Sequence, residues 1–135
     1  MKKLVLLLLF LPIISFSQEL GENAKNIKDN YNSLYESTIK KYALKKWDDD
    51  FHMVVYEINK QTDALFNVVD NFQTKYSSIL YKSLIKWSFD ERAEYNKKVW
   101  DAIKTIDVPA LLKCEADWSM VKYEYDKQVK ALNSF

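Results

Sequence analysis

The chain predicts an all-α fold, a four-helix bundle built from two duplicated helical hairpins, and three observations carry that expectation. Glycine occurs once, at Gly21, and proline twice, at Pro12 and Pro109. From Glu22 to Val108 the chain therefore lacks both residues that punctuate helices and turns. Apolar residues recur at three- and four-residue steps, as in Ile27, Tyr31, Leu34 and again in Leu44, Trp47, Phe51, Val54, Ile58, Leu65. That period belongs to amphipathic helices, and no segment alternates as a strand would. Finally, residues 43–65 return as residues 110–132, 67 positions later without a gap, with 12 of 23 positions identical. Self-similarity at one fixed offset marks a duplicated supersecondary unit.

The first element is a targeting segment. Lys2 and Lys3 precede an apolar run from Leu4 to Ile14, and Ser15-Phe16-Ser17 offers a small-x-small cleavage site. Residues 1–17 thus read as a secretory signal peptide, to be set aside before fold reasoning. Its apolar run is shorter than the roughly 20 residues a membrane-spanning helix needs. A protein starting at Gln18 is expected, exported to the periplasm or outside the cell, with no stable membrane span. The full chain carries a net charge of +1, and loss of Lys2 and Lys3 takes it to −1. With its charges interspersed, it lacks the basic patch of a nucleic-acid binder. Cys114 is the single cysteine, so no internal disulfide can form.

Residues 18–135 are expected to form one helical domain, with hairpin units at 22–75 and 78–133. The first helix covers about 22–40 on the Ile27, Tyr31, Leu34 spacing. A second covers about 43–75. Propensity alone would put the preceding turn at Asp48-Asp49-Asp50. The repeat argues for Lys40 to Tyr42 instead, since Asp48 and Asp50 align with Glu115 and Asp117 inside the other copy's expected helix. The third helix spans about 78–106, starting near Ser77 or restarting at Ser88, where Ser88-Phe89-Asp90-Glu91 reads as a capping box. Asp107-Val108-Pro109 opens the fourth, over about 109–133, because proline is well tolerated in a first helical turn. Short connections favour antiparallel neighbours.

Two sets of repeated positions divide the labour. Leu44/Leu111, Trp47/Cys114, Phe51/Trp118, Val54/Val121, Ile58/Tyr125 and Leu65/Leu132 step 3, 4, 3, 4, 7 and form the expected core stripe. Asp50/Asp117, Met53/Met120, Tyr56/Tyr123, Glu57/Glu124, Lys60/Lys127 and Gln61/Gln128 also recur. Pairing within one helix, Glu57 or Tyr56 with Lys60, would account for part of this second set. Two equivalent polar surfaces, or a polar seam between the copies, are the alternatives. Tyr56, Glu57, Lys60, Tyr123, Glu124 and Lys127 are therefore the candidate partner-binding residues.

The segment Glu94-Tyr95-Asn96-Lys97-Lys98-Val99-Trp100 followed by Pro109 to Trp118 resembles the LprI-type lysozyme-inhibitor family of small exported helical proteins. That family's pattern is an Asn with a following aromatic on one helix, a short turn, then a leucine-led helix with Gln-x-x-Trp and a basic residue four further on. Asn96, Trp100, Leu111, Trp118 and Lys122 occupy those places, with Glu115 where the Gln would stand. The first unit matches through Leu34-Tyr35, Leu44 and Phe51, with Val55 in place of the basic residue. The family's stapling cysteine pair has no counterpart here. The resemblance implies helical hairpins and binding to a lysozyme-type cell-wall hydrolase.

No nucleophile–base pair, metal-ligand spacing or phosphate-binding glycine loop is apparent, so no catalytic, cofactor-binding or metal-binding residue is assigned and no enzyme is expected. His52 aligns with Ser119 and lies off the core stripe, which predicts a solvated or partly buried side chain. Cys114 lies on the stripe and is expected to be a buried thiol. The expected function is a protein-binding module, an inhibitor of, or immunity factor against, a peptidoglycan-degrading enzyme. The alternative is an envelope scaffold that self-assembles through helical surfaces.

Overall fold

Three aspartates organise where the helices of this chain begin. In the computed structural model residues 20–89, 92–103 and 108–135 are described. The expected signal peptide at 1–17, the Asp90-Glu91 half of the expected capping box and the expected cap at Asp107 lie outside them. Among the described residues the chain is all-helical, with seven α-helices: α1 Glu22–Asn30, α2 Asn32–Trp47, α3 Phe51–Asn71, α4 Ser77–Trp87, α5 Arg92–Ile103, α6 Val108–Leu112 and α7 Trp118–Asn133. A single 3₁₀ turn, Thr74–Tyr76, leads into α4.

Asp70 supplies the cap that α1 lacks locally. Its two carboxylate oxygens accept from the Gly21 and Ala24 amides, each at 2.8 Å. A Cβ on residue 21 would lie 2.5 Å from that carboxylate, which explains the glycine by close approach. Asp50 caps α3 by accepting from the Met53 amide at 3.3 Å, and Asp117 caps α7 by accepting from the Met120 amide at 3.3 Å. An aspartate whose side chain takes a first-turn amide stabilises a helix by about 1 kcal/mol.

The turn between α2 and α3 corrects the expected boundary at Lys40 to Tyr42. α2 runs through those residues to Trp47, and Asp48-Asp49-Asp50 forms the connection. Asp48 takes a positive φ of 50°, which is uncommon for a residue other than glycine. The second copy breaks at the same place, between the end of α6 at Leu112 and the start of α7 at Trp118. The alignment of Asp50 with Asp117 is structurally sound. Both are caps, and neither lies inside a helix.

These breaks also rephase the expected core. Counting from Phe51, the buried stripe of α3 is Val54, Glu57, Gln61, Leu65 and Val68. Leu44 and Phe51, computed as if one helix ran from 44 to 65, are exposed, as is Leu132. Val54, Leu65, Leu111, Cys114, Trp118, Val121 and Tyr125 are buried as expected, and Ile58 is partly so. α2 packs on α3, α3 on α7 and α7 on α4, while α1 closes against α3. Ile39, Leu65, Leu80, Leu84, Leu112 and Trp118 fill the interior. Each large apolar side chain so buried contributes about 1.5–3 kcal/mol.

Between α4 and α7 the chain departs in α5 and α6 and is then clipped back. The Phe89 amide donates to the Glu115 carbonyl at 2.8 Å and the Asp117 amide to the Trp87 carbonyl at 3.0 Å. This two-residue antiparallel bridge pins the end of α4 beside the start of α7. No helix among the described residues is long and apolar enough to cross a membrane.

Candidate functional site

The clip, the α2–α3 turn and the first turn of α7 converge on one side chain, Gln61, which is fully buried. Its Nε2 donates to Glu57 Oε2 at 2.8 Å and to Asp117 Oδ1 at 2.9 Å. Its Oε1 accepts from the Trp118 amide at 2.5 Å and the Ser119 amide at 3.3 Å. Both hydrogens and both lone pairs of the amide are thus used, and its orientation is fixed by having carboxylates on one side and N–H groups on the other. Fully satisfied buried polar networks rigidify the packing around them.

The two acids bridged by Gln61 draw on different helices. Glu57, 1% exposed, takes Lys46 Nζ at 2.9 Å and the Trp47 indole N–H at 3.0 Å on the same oxygen, Oε1. Asp117 accepts from Tyr42 Oη at 3.1 Å and from Ser119 Oγ at 2.7 Å. The Tyr42 ring stacks on Phe89 with centroids 5.6 Å apart. Lys46 Nζ lies 5.8 Å from the centroid of the same ring. Beside this group Glu115 pairs with Lys45 at 2.9 Å and Lys41 at 3.6 Å.

Burial pushes the Glu57 carboxyl up, but the hydrogen bonds from Gln61, Trp47 and Lys46 together outweigh it and hold it below the ordinary carboxylate range. Asp117 follows the same balance, with burial opposed by Gln61, Ser119, the Met120 amide and Tyr42. Tyr42 is pushed up by burial, then by the adjacent Asp117 charge and hydrogen bond. Two ionised carboxylates flank a tyrosine that keeps its proton, and neither acid has the raised pKa that general acid catalysis requires. The arrangement locks α2, α3 and α7 together.

A partial twin of this lock joins α4 to α7. Glu124, 8% exposed, takes Lys86 Nζ at 2.6 Å, which holds its carboxyl below the usual range. Lys86-Trp87 ends α4 as Lys46-Trp47 ends α2. The parallel stops at the indole. Trp47 bonds Glu57, whereas the buried Trp87 Nε1 has no hydrogen-bond partner among the described residues.

The six candidate residues therefore separate. Glu57 and Glu124 are buried and held by Lys46 and Lys86, so the expected pairing of Glu57 with Lys60 is not made. Tyr56 and Tyr123 are 55% and 58% exposed. Lys60 and Lys127 are also exposed. Lys127 Nζ lies 5.8 Å from the Tyr123 ring centroid, one turn along α7. Phe51 and Val55 stand exposed on α3 near Tyr56. The recurring glutamates lie within the fold, and the recurring tyrosines and lysines lie on its surface.

Sequence reasoning missed Tyr42, Lys46, Lys86 and Ser119. A signal was present in the Lys-Trp dipeptide at 46–47 and again at 86–87, outside the 67-residue offset. His52 is exposed and Cys114 is buried, its thiol 3.4 Å from the Ala110 carbonyl. No group of three or more His, Cys, Asp or Glu side chains that could hold a metal ion occurs among the described residues. No protein-family model, curated protein or solved structure matches the chain.

Proposed function

We propose that this chain is an exported helical binding module that engages a protein partner through the outer faces of α3 and α7. The observation that carries this reading is the sorting of the repeat. Its acids serve the interior, while Tyr56, Lys60, Tyr123 and Lys127 recur at the surface, with Phe51 and Val55 beside the first pair. Exposed tyrosine and phenylalanine are among the side chains that protein interfaces enrich. The signal-peptide pattern of residues 1–17 and the LprI-type resemblance support export and a lysozyme-type cell-wall hydrolase as the partner. On this reading the end of α2 with α3, and α6 with α7, are the two copies of an ancestral unit, and α4 joins α2, α3 and α7 in a four-helix bundle.

The test is inhibition of lysozyme-type clearing of a peptidoglycan suspension by the chain from Gln18 onward. The native protein should inhibit, and Tyr56→Ala combined with Tyr123→Ala should weaken inhibition at least tenfold at unchanged helicity. Absence of inhibition by the native protein would remove the hydrolase from the proposal. A pull-down of envelope and secreted proteins that retains nothing in a tyrosine-dependent way would remove the protein partner too.

Self-assembly is the second reading, favoured by the exposed Leu44, Phe51 and Val55 around the α2–α3 turn. Light scattering showing a strict monomer at millimolar concentration would eliminate it.

A further inference from the structure

Toward the other end of α3 the packing leaves a cavity. Glu57 and Val68 are separated by 11 residues of helix, so the cavity lies about 16 Å along α3 from the Glu57 carboxylate's helical turn. It is bounded by α1, α3, α4 and α6, is partly open to solvent, and has a volume of about 200 Å³. Ile27, Val68, Leu80 and Leu111 form walls that are themselves buried, and Asn23 and Asn26 stand among the lining residues on α1.

Interiors are packed to the density of organic crystals, with few voids larger than a water molecule. A sealed apolar cavity of about 150 Å³ accommodates benzene. This one is larger by the volume of a small substituent. None of its lining residues carries a charge, so the part of a charged guest buried against them would find no compensating partner. The polar groups are placed asymmetrically. Asn26 accepts from Asn30 through its carbonyl oxygens, and Asn23 donates its amide to the Val69 carbonyl. Asn26 Nδ2 and Asn23 Oδ1 are engaged by no other described residue, which leaves one donor and one acceptor on the α1 side.

We propose that this cavity is a binding site for a small uncharged molecule with a hydrocarbon body, a single ring or short chain, carrying one hydroxyl or carbonyl group. The hydrocarbon body fills the space between Val68, Leu80 and Leu111, and the polar group bonds the free amide atoms of Asn23 and Asn26. The proposal does not depend on the protein-binding surface, since no residue is shared between them.

Benzyl alcohol is the probe, with benzoate as its charged counterpart and toluene as the counterpart lacking the hydroxyl. Methyl NMR of the intact protein should show saturable shifts of Ile27, Val68, Leu80 and Leu111 with benzyl alcohol. Benzoate should bind at least tenfold more weakly. Val69→Phe, which fills the space from a partly buried wall position, should weaken benzyl alcohol at least tenfold. Asn26→Ala, at an exposed position whose replacement leaves the core intact, should weaken benzyl alcohol about threefold to tenfold and leave toluene unchanged, as loss of one hydrogen bond predicts. Absence of saturable shifts at these methyls, or equal affinity for benzoate, would overturn the proposal without any variant having to fold. An Asn26→Ala protein that binds benzyl alcohol as the native one does would overturn the assignment of the polar group.

Discussion

Replacing Gln61 by leucine isolates the lock at the centre of the fold. The substitution keeps the side-chain volume close and removes four hydrogen bonds, two to carboxylates and two from the first-turn amides of α7. Hydrogen bonds to charged groups contribute about 1.5–3 kcal/mol each, and a buried donor left unpaired costs about 1–3 kcal/mol. The losses do not sum fully. Glu57 keeps Lys46 and Trp47, Asp117 keeps Tyr42 and Ser119, and the new leucine adds apolar burial. A destabilisation of about 4 kcal/mol follows, against the 5–15 kcal/mol that domains of this kind possess. In thermal terms this is a fall in Tm of about 10–20 °C.

Urea unfolding followed by tryptophan fluorescence would measure it, since Trp47 and Trp118 both touch the network. The midpoint should drop at unchanged m. Gln128→Leu is the matched control, identical to Gln61 in the repeat but exposed, and should stay within about 0.5 kcal/mol of the native protein. A loss below about 1 kcal/mol for Gln61→Leu, or an equal loss for Gln128→Leu, would refute the assignment of Gln61 as the bridge.

Two further outcomes follow from the same geometry. Glu57 and Asp117 have carboxyls held below the ordinary value of about 4, so in acid the unfolded state binds more protons than the folded one. Their contribution is complete above that value and is lost as pH falls from about 4 through the folded-state pKa. Thermal midpoints from pH 7 to 2 should therefore fall steeply at the acid end, and less steeply in Asp117→Asn. The paired positions Phe51 and Trp118 should also part company, with Trp118→Ala costing about 3–5 kcal/mol and Phe51→Ala about 0.5 kcal/mol or less. Their exposures are 68% and 1%, and chemical denaturation of the two variants measures the difference directly.

The helical class was legible because it rests on local properties, the three- and four-residue period and the near absence of Gly and Pro. The burial of Val54, Leu65, Val121 and Cys114 was legible for the same reason. The α2–α3 turn is legible too, in the three aspartates, although their alignment with Glu115 and Asp117 points the other way. Identity at a fixed offset shows that two positions are equivalent, not which conformation they share. Asp50 and Asp117 are equivalent as caps, and reading them as interior helical residues shifted the phase of everything before them. Gln61 and Gln128 show the opposite limit, since the same residue at the same register is a buried bridge in one copy and solvated in the other. Only the packing of α7 against α3 decides that, and the pairing lies 56 residues apart for Gln61 and Asp117.

The two buried glutamates carry the argument from duplication to function. Glu57 takes its lysine from α2, the helix immediately before it, whereas Glu124 takes Lys86 from 38 residues away, across the whole of α5 and α6. Each repeated helix thus secures a Lys-Trp helix end by the same acid, although the chain between the partners is much longer in the second case. An acid so used is explained by folding. Tyr56, Lys60, Tyr123 and Lys127 make no hydrogen bond or ion pair with another described residue, yet they recur as faithfully as the glutamates do. Within α7, Lys127 lies over the Tyr123 ring and its charge also favours the ionised Glu124. On the proposed function their repetition serves a partner, and the surface tyrosines, rather than the acids, are then the residues on which binding is expected to depend.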